Sequence, residues 1–434
     1  MESLYKTKKY IPIAEAGRGF AAFYVFIFHL IKFTELRESL TPNTFLYYLM
    51  ESLGGYGHQA VLFFFLLSGF SIHYSSMDRS LGNIKGVIKF YYSRIRRIYP
   101  IYIIAILITL LLLFISANYY PSYFNEEIED TSLNIVIYNL LFLSDRHYVE
   151  GILASALPTN APLWSLSYEV LYYFLYPLFW YISVRYGKMI TLTGTVLISS
   201  ICILYANLHA HNHLVNVLSL YVIWSFGAYV AQMYREGKYH KTIKPYYLLL
   251  AIYILSQSVW VLEGATYTLG SFYEVLWGLL FFVCMTYFVV AKDEFFTQSN
   301  KLLLVILFII SAAFIDIVSL YIDLANDMTY FYIKIHTTLI VFILMATFNR
   351  MNFKKLLNLI LSPFENIGKY SYALYILHYP ILYTAYKILE IYQLSLLFLV
   401  LLIFPILAIS KFLEGKYQLK ASQFMDRIFY PKKA

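Results

Sequence analysis

Residues 99–118 read YPIYIIAILITLLLLFISAN, a run without a single charged side chain. A helix of about 20 mostly apolar residues crosses the hydrocarbon core of a bilayer, so this stretch predicts a transmembrane helix. The run is continuous and does not alternate between apolar and polar residues, which argues against a membrane-spanning strand. The stretch SRIRRI at 93–98 precedes it and places several positive charges at one end of the predicted span.

The same apolar composition extends along the whole chain. Of its 434 residues, 60% are hydrophobic and 13% are charged, against roughly 25% charged residues in ordinary soluble domains. A soluble domain could not cover so much apolar surface, and the composition also excludes a disordered chain, a coiled coil and a soluble nucleic-acid-binding protein. Cys202 and Cys284 lie in apolar runs, so neither a disulfide framework nor a zinc site is predicted.

Similar apolar segments predict an all-α fold, a polytopic integral membrane helical bundle of about twelve transmembrane helices. The number falls to ten or eleven if weak segments lie flat on the membrane. The predicted spans are 14–33, 58–77, 99–118, 163–184, 189–208, 214–233, 245–262, 270–291, 302–321, 331–349, 371–390 and 394–413. We expect one membrane domain over 1–413 and a short basic cytoplasmic tail over 414–434.

The basic residues predict how the bundle is oriented. With the N-terminus inside, the inside segments hold 28 of the 33 lysines and arginines when Arg18 and Lys411, at the inner ends of two spans, are counted with them. Such a bias follows the positive-inside rule and predicts that both termini are in the cytoplasm. The net charge of +8 then reflects orientation and contact with the inner leaflet, not nucleic-acid binding. The remaining basic residues lie in outside loops or near outer helix ends: Lys32, Arg37, Arg146, Lys334 and Lys387.

Ionisable side chains inside a span cost at least ~2.5 kcal/mol to insert, so each needs a reason. His29 lies near the outer end of the first span, where an imidazole of ordinary pKa near ~6.5 could act as a general base. It could equally be an interfacial histidine bonded to a neighbour. His378 could be a buried histidine bonded to a carbonyl freed by Pro380. The candidates among the ionisable residues in predicted spans are Glu15, Arg18, His29, Glu169, Glu274, Asp316, His336 and His378.

Two further segments allow a functional or a structural interpretation. Arg94 and Arg97 share one helical face, and paired guanidinium groups suit phosphates, although a positive-inside anchor would look the same. Gly69 would let a thin ligand approach the second helix closely, or would serve simple helix packing.

The fourth predicted span opens with Trp164, Ser165 and, one turn further, Glu169. A carboxylate at this depth could orient His29 or bind sugar hydroxyls. The alternative is an interfacial tryptophan followed by a serine and a glutamate at a helix start.

Three histidines alternate at His209, His211 and His213. They resemble a metal-binding tract, but without further partners they predict a solvated outside loop. No metal site is therefore expected.

In their order along the chain, five stretches resemble the acyltransferase 3 family of integral membrane acyltransferases, which modify extracytoplasmic polysaccharides and other acceptors. The resemblance runs from about residue 12 to about residue 413. It rests on EAGRGFAAFYVFIFH at 15–29, FFFLLSGFSI at 63–72, FYYSRIRRIYPIY at 90–102, LWSLSYEVLYYFLYP at 163–177 and IGKYSYALYILHYP at 367–380.

The resemblance implies a role for each matching residue. His29 would be the essential histidine and general base, with Arg18 as its basic partner on the first helix, and Glu169 a second catalytic residue. The donor acyl-CoA would contact Arg94, Arg97, Ser68, Gly69 and Phe70, with Glu15, Trp164, Ser165 and His378 in supporting positions. Departures from the family pattern are Glu15, where aspartate is usual, and Tyr168, where a small aliphatic residue is common; they bear on acceptor selection.

The resemblance and the predicted orientation together give a hypothesis for the reaction. The phosphates of cytoplasmic acyl-CoA would bind Arg94 and Arg97, and the pantetheine arm would pass Ser68 and Gly69, where the missing side chain leaves room. The thioester would then meet a hydroxyl of an extracytoplasmic sugar or polysaccharide at His29. Acetyl is the group implied, with succinyl open, and no bound cofactor is expected.

Two alternative functions stay open at this point. One is a transporter or flippase of sugar-linked lipids without acyl transfer, and the other is a non-enzymatic subunit of a polysaccharide synthase. The partners expected are acyl-CoA, a glycan or glycolipid acceptor and the lipid bilayer, with no nucleic acid. The sequence does not fix the oligomeric state, for which a homodimer is one option.

Overall fold

The computed structural model is described here over residues 12–36, 39–41, 46–47, 50, 54–78, 81–145, 154–209, 212–237, 270–286 and 353–429. Over these residues the chain is helical, apart from one short parallel pairing of two two-residue strands. The predicted class of a helical membrane protein is confirmed. In this part of the chain, the helices long and apolar enough to cross a membrane are Pro12–Thr34, Ile84–Tyr119, Lys188–Ala206, His213–Glu236 and Leu396–Phe429.

The count of twelve spans is not established, because the spans predicted at 245–262, 302–321 and 331–349 lie outside the described residues. The helices are α1 Pro12–Thr34, α2 Gly57–Ser76, α3 Ile84–Tyr119, α4 Pro121–Glu129, α5 Leu133–Leu140, α6 Trp164–Tyr186, α7 Lys188–Leu208, α8 His213–Glu236, α9 Gly270–Met285, α10 Phe353–Gly368, α11 Ser371–Ile391, α12 Ile403–Phe412 and α13 Gln418–Phe429. Strand β1 is Ser144–Asp145 and β2 is Ala154–Ser155, and short 3-10 helices cover Ala161–Leu163 and Leu396–Leu402.

Helix α3 is longer than the span predicted at 99–118. It begins at Ile84, where the Asn83 side chain accepts a hydrogen bond of 2.8 Å from the Gly86 backbone N–H and caps the helix. The helix continues without a break through Pro100 into the apolar run. The arginines of 93–98 are therefore helical, and neighbouring arginines point to different faces.

Helix α2 lies at the centre of the fold and packs backbone to backbone against α8. A Cβ atom added at Gly69 would lie 1.9 Å from the Trp224 carbonyl oxygen, and one at Gly227 would lie 1.8 Å from the Leu66 carbonyl oxygen. Small residues that allow such close approach are typical of helix contacts in membranes. The region around Gly69 is therefore filled by α8 and leaves no room for a substrate.

Replacing Gly69 with alanine is expected to destabilise the protein by ~1–3 kcal/mol, because the added methyl group forces two helix backbones apart. Gly194→Ala is the matched control, since nothing lies within 4 Å of a Cβ there and alanine is the better helix former. Thermal unfolding in detergent should give a lower Tm for Gly69→Ala only. Equal Tm values for the two variants would contradict the close packing.

Helix α4 is tied to α11 by a buried carboxylate. Glu127 is 7% exposed and accepts hydrogen bonds from the Lys387 ammonium and the Tyr383 hydroxyl. Partial burial alone would raise the pKa of Glu127, but these hydrogen bonds outweigh it and the pKa lies below its ordinary value. This contact fixes the end of α11, the helix that carries His378.

The segment predicted as a basic tail at 414–434 is helical over Gln418–Phe429 and packs on α3. The Tyr92 hydroxyl donates a hydrogen bond of 2.9 Å to the Asp426 carboxylate, which also pairs with Arg96. The Gln418 amide donates a 2.7 Å bond to the Arg96 carbonyl oxygen. A π-helical turn, Leu413–Tyr417, precedes α13.

Candidate active site

Two histidines from distant parts of the chain form a hydrogen-bonded pair. His29 on α1 places its Nδ1 atom 3.0 Å from Nε2 of His378 on α11, and also 3.0 Å from the Val25 carbonyl oxygen. The other ring nitrogen of His378, Nδ1, lies 3.0 Å from the Leu374 carbonyl oxygen. His378 is completely buried, whereas His29 is half-buried.

The hydrogen-bond partners assign the protons of the neutral pair. A carbonyl oxygen only accepts, so His378 carries its proton on Nδ1 and presents a lone pair at Nε2. His29 must then donate from Nδ1, which leaves the lone pair of His29 on Nε2. His378 is therefore placed to hold His29 in the tautomer that a general base needs.

The carbonyl freed by Pro380 is not the one that His378 contacts. Proline lacks a backbone N–H, so the Ile376 carbonyl loses its helical partner. The Asn160 side-chain amide donates a 3.1 Å hydrogen bond to that oxygen. His378 bonds instead to Leu374, four residues before it, and this leaves its ring aligned with His29.

Aromatic rings enclose the exposed face of His29. The rings of Phe28 and Tyr379 meet it edge to face, with centroids 4.8 Å and 4.9 Å away. Phe33 stacks on it at 6.3 Å. We call this end of the bundle, where α1 ends and α2 begins, the histidine end.

Glu169 does not contact His29. Its Oε1 atom accepts a 2.8 Å hydrogen bond from the Ser68 hydroxyl and a second bond from the Tyr173 hydroxyl. In the described part of the chain, the hydrogen-bond partners of His29 are His378 and Val25. The position that the sequence suggested for a carboxylate beside His29 is thus held by His378.

Arginines and carboxylates from several helices gather deeper in the bundle. Arg18 on α1 pairs with Glu15 and donates a 3.2 Å hydrogen bond to the Ser71 hydroxyl on α2. Both side chains are largely buried, with 19% and 17% of their side-chain surfaces exposed. Arg18 and His29 lie on the same helix, about 16 Å apart at ~1.5 Å per residue.

Arg94 and Arg97 enter the same region from α3. Arg97 interacts electrostatically with Glu414, Glu169 and Glu15, and yet its side chain is exposed. Arg97 therefore combines exposed surface with charged neighbours from several elements. The Arg94 guanidinium lies 5.3 Å from the centre of the Phe90 ring. We call Arg18, Arg94 and Arg97 the arginine cluster.

Glu414 is a site residue that the sequence analysis missed. It lies in the π-helical turn between α12 and α13, and its Oε2 atom accepts a 2.9 Å hydrogen bond from the Ala373 backbone N–H at the start of α11. Turns of this type occur frequently at functional sites. Its signal in the sequence was weak, since an acidic residue just beyond the last apolar run fits a solvated tail.

The family comparison matches an acyltransferase domain, of the acyltransferase 3 type, to residues 12–301. The chain belongs to this acyltransferase family. The chain is also 29% identical over 175 residues to the acyltransferase MdmB of Streptomyces mycarofaciens, a stretch that covers 40% of this chain and 40% of that relative. No solved structure matches the chain.

The family match covers most of the predicted site. His29, Glu169 and the arginine cluster lie within residues 12–301. His378 and Glu414 lie beyond it. Their contacts with His29 and with the start of α11 connect them to the candidate site.

The remaining predicted residues divide into candidate-site and packing residues. The Ser68 hydroxyl reaches the site through Glu169, whereas Phe70 is 1% exposed and stacks on Tyr74 in the core. The Ser165 and Tyr375 hydroxyls share a 2.8 Å hydrogen bond, and the Tyr375 ring lies 6.1 Å from that of His378. Tyr375 lies three residues before His378, so the sequence alone could have predicted that both side chains share one face of the helix.

The other predicted residues fall outside the described residues or have partners of their own. Asp316, His336, Arg37, Arg146, Lys334 and His211 lie outside the described residues. His213 is 5% exposed at the start of α8, and its Nδ1 lies 3.1 Å from the Asp145 carboxylate. The prediction of a solvated loop is therefore wrong for this histidine. In the described residues, no group of three or more His, Cys, Asp or Glu side chains could hold a metal.

Proposed function

We propose that this acyltransferase moves an acyl group, with acetyl the expected one, from cytoplasmic acyl-CoA to a hydroxyl of an extracytoplasmic sugar or polysaccharide. The observation that carries the proposal is the His29–His378 pair, because it leaves a basic nitrogen at one end of the bundle. The protein then lies in the bacterial inner membrane with both termini inside and with the histidine end outside, as the distribution of basic residues predicts.

The donor half of the proposal rests on the arginine cluster. Guanidinium groups bind phosphate oxygens through forked, permanently charged hydrogen bonds, and CoA carries three phosphate groups. Without donor, the carboxylates of Glu15, Glu169 and Glu414 balance these arginines. Phosphates arriving from the cytoplasm would replace some of these contacts, and the pantetheine arm would extend toward His29.

The route between the two halves follows polar side chains rather than Gly69. Ser68 and Tyr173 hold Glu169 next to the arginine cluster. Tyr375 interacts electrostatically with Glu169 and its ring neighbours that of His378. An acyl-CoA arm lying along this line would bring its thioester to the histidine end.

The chemical step needs one base and no bound cofactor. His29 Nε2 takes the proton of the acceptor hydroxyl as that oxygen attacks the thioester carbonyl carbon. The tetrahedral intermediate collapses with cleavage of the C–S bond, and the proton on Nε2 passes to the departing sulfur of CoA. His378 Nε2 accepts the Nδ1–H bond of His29 throughout and stabilises the imidazolium that forms in between.

The proposal is tested with purified protein and with cells. Purified protein in detergent should retain radiolabelled acetyl-CoA, and mass analysis should find O-acyl groups on surface glycans only in cells that contain it. A transporter or flippase would export glycan without binding acetyl-CoA and without adding acyl groups. That outcome would reject the proposed function.

A further inference from the structure

A second histidine–carboxylate pair lies at the histidine end. His58, the second residue of α2, bonds through Nε2 to the Glu274 carboxylate on α9. The Glu274 side chain is 5% exposed, whereas the His58 side chain is 33% exposed. The pair therefore joins a buried carboxylate to an accessible imidazole, and neither residue takes part in the mechanism above.

Gln59 adds an unsatisfied acceptor next to this pair. Its Nε2 atom donates a 3.1 Å hydrogen bond to the Tyr273 hydroxyl on α9, one residue before Glu274. Its Oε1 atom is buried without a hydrogen-bond partner among the described residues, and the whole residue is 7% exposed. Buried amide oxygens are nearly always bonded, so this oxygen points to a donor that arrives with a ligand, such as a hydroxyl group.

Aromatic rings flank the polar atoms. Trp164 stacks on the His58 ring with centroids 5.7 Å apart and an angle of 24° between the planes. Trp277, one turn after Glu274, packs against Tyr56 at 5.5 Å. A few fixed polar groups set among aromatic rings are typical of small-molecule sites. A sugar ring, which has apolar C–H faces and a rim of hydroxyls, matches this combination.

The cluster lies beside the proposed base. A Cβ atom added at Gly57 would lie 2.5 Å from the Phe28 ring, so the first residue of α2 abuts the residue before His29. The Phe28 ring is in turn 4.8 Å from that of His29. A molecule held by His58 and its neighbours would thus be adjacent to His29.

We propose that His58, Gln59 and Glu274 bind the acceptor, and that they select a neutral, polyhydroxylated molecule of the sugar class. Glu274 and Gln59 accept hydrogen bonds from its hydroxyls, and the accessible edge of His58 contacts its ring. The proposal rests on the proposed acyl transfer, since it assigns the acceptor half of the same site.

The test uses membranes that contain the protein, acetyl-CoA and, as acceptor, the surface glycan of the producing cells after removal of its O-acyl groups with mild alkali. For Glu274→Gln and Gln59→Leu, the apparent KM for the glycan should rise about tenfold or more, roughly the loss of one buried hydrogen bond. The KM for acetyl-CoA should not change. Glu236→Gln, at the far end of α8 and paired with Lys188, is the matched control and should leave both constants unchanged.

Each result distinguishes the two proposals. An unchanged KM for the glycan in both variants would overturn the acceptor site. A rise in the KM for acetyl-CoA instead would also overturn it, because the cluster would then act on the donor or on the packing of the whole bundle. If the unmodified protein transfers no acetyl group to the glycan, the proposed function itself is wrong, whatever the two variants do.

Discussion

His29→Ala should abolish acyl transfer while leaving acetyl-CoA bound. Loss of a general base lowers the rate of the chemical step by roughly 10²–10⁴-fold. His378 keeps its proton on Nδ1, which donates to the Leu374 carbonyl oxygen, so its Nε2 accepts a hydrogen bond from Nδ1 of His29. The available lone pair of the two rings is therefore on Nε2 of His29, and the alanine variant removes it. The measurements are the O-acyl content of surface glycans and retention of radiolabelled acetyl-CoA by the purified variant.

A matched histidine separates this effect from a general loss of folding. His209→Ala removes an exposed imidazole after the end of α7 and should leave acyl transfer unchanged. Both variants should reach the membrane and unfold at similar temperatures. Full transfer by His29→Ala would show that another group accepts the proton, and the assignment of His29 as base would be wrong.

The His29 position could be predicted from the sequence, but its partner could not. The sequence of a single span is enough to show that a histidine lies near the end of an apolar helix. The contact with His378 joins residues 349 positions apart. Both histidines occur in stretches that resemble the family, yet only the packing of α1 on α11 brings them together. The sequence therefore suggested Glu169 as the neighbour of His29, because only depth in the membrane could be compared.

At Gly69 the sequence alone cannot distinguish a role in substrate binding from a role in helix packing. A glycine after Ser68 permits a close approach, and the approaching group could be a ligand or another helix. The structure places the Trp224 carbonyl there. The neighbouring Ser68 hydroxyl faces Glu169 instead, so two consecutive residues of one motif face different partners, as the helical repeat requires.

The helices themselves were more predictable than the site. Long apolar runs set the positions of α1, α7 and α8, because crossing the lipid requires them. The start of α3 and the helix at 418–429 were missed, since both are amphipathic and polar enough to look like loop and tail. These two elements pack together through Asp426 and Arg96, a long-range contact that local composition does not contain.

Replacing Arg94 and Arg97 together with alanine should weaken acetyl-CoA binding at least a hundredfold. A hydrogen bond to a charged group contributes about 1.5–3 kcal/mol, so two arginines on phosphates amount to at least ~3 kcal/mol. Replacing both with lysine keeps the charge but loses the forked donors, and should give an intermediate affinity. Equilibrium retention of radiolabelled acetyl-CoA measures the affinity of the purified unmodified protein and of both double variants.

Arg96 provides the control on the same helical turn. It faces α13 and pairs with Asp426 at the surface, where 38% and 42% of the two side chains are exposed. Such a pair contributes about 0–1 kcal/mol, so Arg96→Ala should bind acetyl-CoA normally although it also removes a positive charge from the same segment. If the double variant also binds normally, Arg94 and Arg97 anchor the helix at the membrane surface and the donor lies elsewhere. If Arg96→Ala weakens binding in proportion to the charge it removes and the double lysine variant binds normally, net positive charge rather than a phosphate site attracts the donor. Only a large loss in the double variant with none in Arg96→Ala supports a site built on one face of α3.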